Sequence, residues 1–325
     1  MQQPNAVFEL ASPVRPETIA RLQRYPTLRC RSTLSAEDCT RLNAHFANHP
    51  QALLHVCPPV RDSAQTDFSF LEYLPALRRL WLQCKSGELI DLGCLSALPV
   101  GLHEFSLDTL EQSGDSKRDR PKRSLDVLSA LHELQHLSIC GRLESLDLIG
   151  TLPALRSLAL WRTRLKSLAG IEHAPHLQRL ELLASGAKDL TSLAALRELT
   201  FLRIDRQRNL SGLDAIARLP NLRELHLISS TFEDELPSFA QLTSLHVAVL
   251  DNLAAPDNLE RIAAAPELRC LVLSRSTPLY DVAALTPLQR HPHLKELRLD
   301  TGNEGLLARI RDAYGWKCSA GFGAP

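Results

Sequence analysis

The chain has 325 residues, 44% of them hydrophobic but only 5% aromatic, with 37 Lys+Arg against 37 Asp+Glu. That length suits two average domains or one elongated array, and an apolar set dominated by leucine points to a core of stacked aliphatic layers. Zero net charge disfavours a protein that tracks nucleic-acid phosphates, and no run approaches the roughly 18 apolar residues of a membrane-spanning helix.

The opening MQQPNAVFELASPVRPETIARLQRYP has no basic segment followed by an apolar one, so it does not read as a secretory signal. The eight cysteines contain no CxxC pair and read as reduced thiols of a cytoplasmic protein, with no metal and no cofactor expected. Residues 1–50 read as a helical cap with a degenerate first repeat. Pro16 stands before ETIARL, and Ser35-Ala-Glu-Asp38 precedes CTRLNAHF, both signals of a helix start. Degenerate strand segments are expected around Leu28–Cys30 and Leu54–Val56.

From residue 77 one pattern recurs. LRRLWL (77–82), LHEFSL (102–107), LQHLSI (134–139), LRSLAL (155–160), LQRLEL (177–182), LTFLRI (199–204), LRELHL (222–227), LRCLVL (268–273) and LKELRL (294–299) share the frame LxxLxL. LHVAVL (245–250) is a weaker copy, with Ala248 at the fourth place. Between copies the apolar period becomes three, as in Leu143, Leu146, Ile149 and Leu152, or Leu165, Leu168, Ile171 and Ala174. Alternation within LxL predicts a short strand, and a period of three predicts 3₁₀ or short helical turns. Residues 51–300 therefore read as a solenoid, interrupted at 111–124 by EQSGDSKRDRPKRS, a charged loop insertion. Residues 301–325 read as a capping helix, EGLLARIRDAY, and a tail.

This pattern resembles the leucine-rich-repeat family, in its short bacterial, internalin-like form LxxLxLxxTxLxxLxxLxxLxx. Thr163 matches the polar ninth place, and Ser185, Gln207, Ser230 and Ser276 substitute there. The resemblance implies an α/β solenoid: a curved horseshoe with a parallel β-sheet on its concave face and 3₁₀ or short helical turns on its convex face. It also implies work by binding rather than by catalysis.

Motifs that look like chemistry do not fit the frame. HELQH (132–136) matches the helical zinc-protease signature, but Leu134 and Leu137 are core positions entering a strand. In an extended chain residues four apart lie about 13 Å from each other, too far to share one metal. His173xxHis176 and His291xHis293 read as solvated loop histidines. No phosphate-cradling loop and no nucleophile elbow occurs, and no cysteine is followed two places on by aspartate, as the cysteine-based ligases of some repeat effectors require.

With leucines at the first, fourth and sixth places turned inward, the third, fifth and seventh places face outward from the sheet. There Trp161, Leu183, Phe201, Ile228, Val247, Val249 and Val272 form an apolar centre, interleaved with Arg179, Glu181, Arg203, Asp205, Glu224, His226 and Asp251. Such a mixture of apolar anchors and charges predicts a protein partner on the concave face, with Trp161, Arg179, Glu181, Leu183, Phe201, Arg203, Asp205, His226, Ile228, Val249 and Asp251 contacting it. Trp81 is either a separate anchor or a packed residue. Aspartates at the seventh place (108, 205, 251 and 300) are expected to keep that margin soluble or to attract a basic partner. No membrane and no small-molecule substrate is expected. Within this reading the chain is an immunity (toxin-neutralising) or adaptor protein; delivery to a host cell, self-association and RNA contact remain the alternatives.

Overall fold

The computed structural model describes residues 6–57, 68–85, 92–110, 126–143, 145–253, 259–274, 285–300 and 304–314. The insertion at 111–124, Ser276 and the tail beyond residue 314 lie outside them. The chain divides into two compact units, Met1–Arg164 and Leu165–Pro325. The first holds β1 (Val7–Leu10), α1 (Pro16–Leu22), β2 (Thr27–Cys30), α2 (Ala36–Asn48), β3 (Leu53–Val56), β4 (Arg79–Lys85), β5 (Glu104–Leu110), β6 (His136–Cys140) and β7 (Ser157–Trp161). The second holds β8 (Arg179–Leu183), β9 (Phe201–Asp205), α3 (Asp214–Ala217), β10 (Glu224–Ile228) and β11 (Val247–Asp251). It continues with α4 (Leu259–Ala263), β12 (Cys270–Ser274), α5 (Thr286–Gln289), β13 (Glu296–Asp300) and α6 (Glu304–Tyr314).

Within each unit every strand pairs in parallel with the next in sequence, and each connection returns through a 3₁₀ turn or short helix. This one-strand-per-coil topology is the leucine-rich-repeat solenoid that the LxxLxL frame predicts. The register aligns the frame residue for residue: Leu180, Leu202, Leu225, Ala248, Leu271 and Leu297 form one inward row. Leu182, Ile204, Leu227, Leu250, Leu273 and Leu299 form the next. Every member of both rows is buried. The period-three residues close the core from the opposite side, with Leu190, Leu193 and Leu196, then Leu213, Ile216 and Leu219, all buried.

The N-terminal signals are realised as α1, with Pro16 in its first turn, and α2, whose Ser35 Oγ accepts from the Asp38 backbone N–H at 3.1 Å. Asp38 itself is buried and accepts from Ser12 Oγ and the Val14 N–H, each at 2.6 Å. Burial alone would raise its carboxyl, but these bonds from Ser12, Val14 and Ser35 hold it below the ordinary value. One strand is absent from the expectation. β1 precedes the first degenerate repeat and pairs with β2 from Val7↔Thr27 to Leu10↔Cys30.

A further regularity governs how strands end. The residue at the eighth place has left-handed backbone in successive coils: Arg162 (φ 52), Ala184 (φ 49), Arg206 (φ 54), Ser229 (φ 47) and Asn252 (φ 53), with Gly141 at φ 119. This corner turns the chain from the sheet into the buried ninth place. It also aims the eighth-place N–H at the next coil, as in Ala184 to Asp205 O (2.8 Å), Arg206 to Ile228 O (2.9 Å) and Ser229 to Asp251 O (2.7 Å). At Gly141 no side chain fits, since a Cβ would stand 1.7 Å from Thr109 Oγ1. Arg206 is exposed, so its side chain adds no packing to offset the conformational cost. Arg206→Gly should therefore raise unfolding free energy by about 0.5–1 kcal/mol, while Arg206→Val should lower it, both read from urea midpoints.

Candidate functional site

The outward rows are as regular as the inward ones. On the second unit the third-place row runs Arg179, Phe201, Glu224, Val247, Cys270, Glu296 and the fifth-place row Glu181, Arg203, His226, Val249, Val272, Arg298. The seventh-place row begins Leu183, Asp205, Ile228, Asp251, Ser274. Parallel strands stand about 4.8 Å apart, so consecutive members of a row touch.

The densest chemistry lies on β8, β9 and β10. The Arg179 guanidinium carbon sits 3.6 Å from the centroid of the half-buried Phe201 ring, a cation–π stack. Arg179 Nε also donates to Glu181 at 2.8 Å, which fixes the guanidinium over the ring. On the other flank the His226 ring lies 5.2 Å from Phe201, and its Nε2 pairs with Glu224 at 2.6 Å. Arg203 donates through Nη2 to Asp205 at 2.8 Å. An aromatic ring thus lies between an arginine and a histidine, each held by a carboxylate two residues away on its own strand.

Burial pushes the His226 imidazole below its ordinary value; Arg203 and Arg179 push the same way, and Glu224 only partly opposes them. His55 and His45 are also lowered, chiefly by burial. The folded state therefore holds fewer protons on these rings than the unfolded chain, whose histidines titrate near 6.5. Stability should be fully present above that value and fall as pH drops from it through the lower folded-state values. Urea unfolding at pH 7 and pH 5 checks this, and His226→Asn should shrink the difference.

Three expected contact residues are placed differently. Asp205 and Asp251 are buried, 7% and 5% exposed, rather than facing water. Asp205 stands in register between Leu183 and Ile228, whose apolar side chains flank it, and it turns to Arg203. Asp251 accepts from Ser274 Oγ at 2.5 Å in the next strand. Val249, at 9% exposed, is likewise floor rather than rim. Leu183, Phe201, Arg203, His226 and Ile228 are half-buried on the sheet face, and Arg179 is exposed. Trp161 is 44% exposed, but it ends β7 and so belongs to the first unit.

On that first unit Trp81 is a packed residue. Its ring stacks on His55 at 4.0 Å and 8°, while Arg29 Nε lies 3.3 Å from His55 Nδ1. Sequence reasoning missed this pair because the degenerate β3 frame hid the register His55↔Trp81. The loop histidines are not merely solvated. His176 meets Glu198 of the next coil at 2.9 Å. The His291 ring donates to Ala265 O at 2.7 Å and accepts the Leu294 N–H at 3.0 Å, pinning the entry to β13. In HELQH, Leu134 and Leu137 are buried and His136 opens β6, so this segment is not a helix. Among the described residues no three His, Cys, Asp or Glu side chains gather as a metal site, and no helix is long and apolar enough to cross a membrane.

No family model and no curated protein matches the chain. Solved structures with a similar backbone include an internalin from Listeria monocytogenes, 13% identical over 87% of this chain and 89% of its own, with TM-score 0.46. A leucine-rich-repeat protein from Leptospira interrogans is 18% identical over 95% and 92%, with TM-score 0.44. Internalin C2 from Listeria monocytogenes is 15% identical over 79% and 83%, with TM-score 0.39. The aligned LxxLxL rows, the single parallel strand per coil and the 3₁₀ or short helical returns make the fold of this chain a leucine-rich-repeat solenoid.

Proposed function

We propose that this chain is a non-enzymatic protein-binding module whose partner docks on the sheet face of the second unit, around Phe201. The observation that carries this reading is the Arg179–Phe201 stack with His226 beside it. Arginine and aromatic side chains are the commonest anchors of protein interfaces, and here their geometry is fixed before any partner arrives. A preorganised face loses little entropy on docking, which suits tight sequestration, as by an immunity protein, or stable holding, as by an adaptor. A cytoplasmic setting fits the buried thiols of Cys30 and Cys39, which burial pushes up to about 11 and so leaves unreactive at neutral pH.

The test is co-purification of the partner from the native cell with the wild-type chain and with Arg179→Ala/Phe201→Ala. The double variant should lose about 2–4 kcal/mol of binding, a loosening of roughly thirty- to a thousand-fold, while its circular dichroism stays unchanged. Undiminished capture by the folded variant would overturn the reading. Trp161→Ala, tested separately, reports whether the first unit also contributes.

A further inference from the structure

We infer that the partner presents an α-helix with a basic flank, lying along the strands on the floor formed by β11 and β12; this rests on the docking reading above and names the occupant of that face. The floor consists of Val247, Val249, Cys270 and Val272, four short apolar side chains at the third and fifth places of adjacent strands. None is charged, and Val249 is nearly covered while the other three are half-buried. Longer side chains stand on either side: Glu224 and His226 on β10, Glu296 and Arg298 on β13.

Width and length select the occupant. The wall strands are three strand spacings apart, about 14 Å, and an α-helix with its side chains is about 10–12 Å across. An extended segment would fill only a fraction of that width. Strand β11 has five residues, about 16 Å of rise, which matches three turns of helix. A helix lying there places residues i, i+3, i+4 and i+7 against the valines and its flanks against the walls.

Charge selects its flanks. Across β8–β13, Arg179, Arg203 and Arg298 are outnumbered by Glu181, Asp205, Glu224, Asp251 and Glu296. Arg298 Nε pairs with Glu296 at 2.7 Å, whereas the partner of Glu224 is His226, an imidazole that is neutral at pH 7. The β10 wall therefore keeps a net negative charge, with Glu224 38% exposed, and lysine or arginine on the helix flank complements it.

The experiment pans a displayed library of random 16-residue peptides against the whole chain, then re-tests the enriched peptides on two variants. One is Val272→Asp, in the floor; the other is Arg179→Ala/Phe201→Ala, outside it. The expected result is enriched sequences with apolar residues spaced i, i+3, i+4, i+7 and Lys or Arg beside them. They should gain helical circular dichroism on binding and weaken at least tenfold on Val272→Asp. Peptides with alternating apolar residues, peptides bearing acidic flanks, or helical binders indifferent to Val272→Asp overturn the inference. If binders ignore the floor but are lost on the Arg179/Phe201 variant, the helix idea fails while the docking face stands. If they ignore both variants, both fail. Intact thermal unfolding of Val272→Asp, whose side chain is half-exposed, separates lost binding from lost fold.

Discussion

Leu202→Ala should lower the unfolding free energy by about 2–5 kcal/mol, read from urea midpoints, because the site has no means of closing the gap it leaves. Leu202 is fully buried and stands in register between Leu180 and Leu225, themselves fully buried. Backbone ladders on both sides hold β9 at fixed spacing, so neighbouring coils cannot move in to fill the void. The same inward row does carry an alanine, Ala248, but the return segment leading into its strand contains Phe239, also fully buried. The return leading into the strand of Leu202 carries Leu190, Leu193 and Leu196, with no comparable bulk. A loss under about 1 kcal/mol would mean that the coils relax independently. Arg203→Ala, one residue away on the open face, should cost much less, although it leaves Asp205 without its Nη2 donor.

Gln207→Ala should cost about 1–3 kcal/mol, although it removes no core leucine. Gln207 is buried at the ninth place and joins three coils. Its Nε2 donates to Ser185 Oγ at 3.0 Å, its Oε1 accepts from the Gly186 N–H at 3.2 Å, and its own N–H donates to Ser230 Oγ at 3.1 Å. Truncation removes the acceptor of the Gly186 N–H and the donor to the buried Ser185 hydroxyl, while the backbone bond to Ser230 remains. Gln207→Leu should be no better, since volume is restored but the Gly186 N–H still lacks its acceptor. Hydrogen exchange at Gly186 in either variant should accelerate; protection equal to wild type would mean another group satisfies it.

The contrast between these two sites shows what a sequence transmits. Leucine rows are legible because a period of two inside a period of about 22 has one reading, and the observed register follows the LxxLxL frame from β4 to β7 in the first unit and from β8 to β13 in the second. Strand β1 was not legible: VFEL is four residues long and precedes any repeat against which to align it. Polar burial at the ninth place was visible only as a consensus letter, since the bonds of Gln207 depend on what the neighbouring coils offer. The left-handed corners at Arg162, Arg206 and Asn252 were invisible because most carry no glycine. Alternation separated outward from inward side chains, yet it did not fix the depths of Asp205, Asp251 and Val249. A side chain's exposure on a crowded sheet is set by the height of its lateral neighbours, which a single strand's pattern does not contain.

The corner at the eighth place has one more consequence. From β8 to β10 each coil hands the next the same geometry it received: a donor at the corner, a polar ninth side chain (Ser185, Gln207, Ser230), and aliphatic side chains at fixed depth. Excising one coil, from Thr200 through Leu222, would bring β8 beside β10 with matching sockets and delete a single column of recognition chemistry. Such a chain can lengthen, shorten or reorder its vocabulary of surface residues by whole-coil duplication, with the scaffold indifferent to which word is spoken.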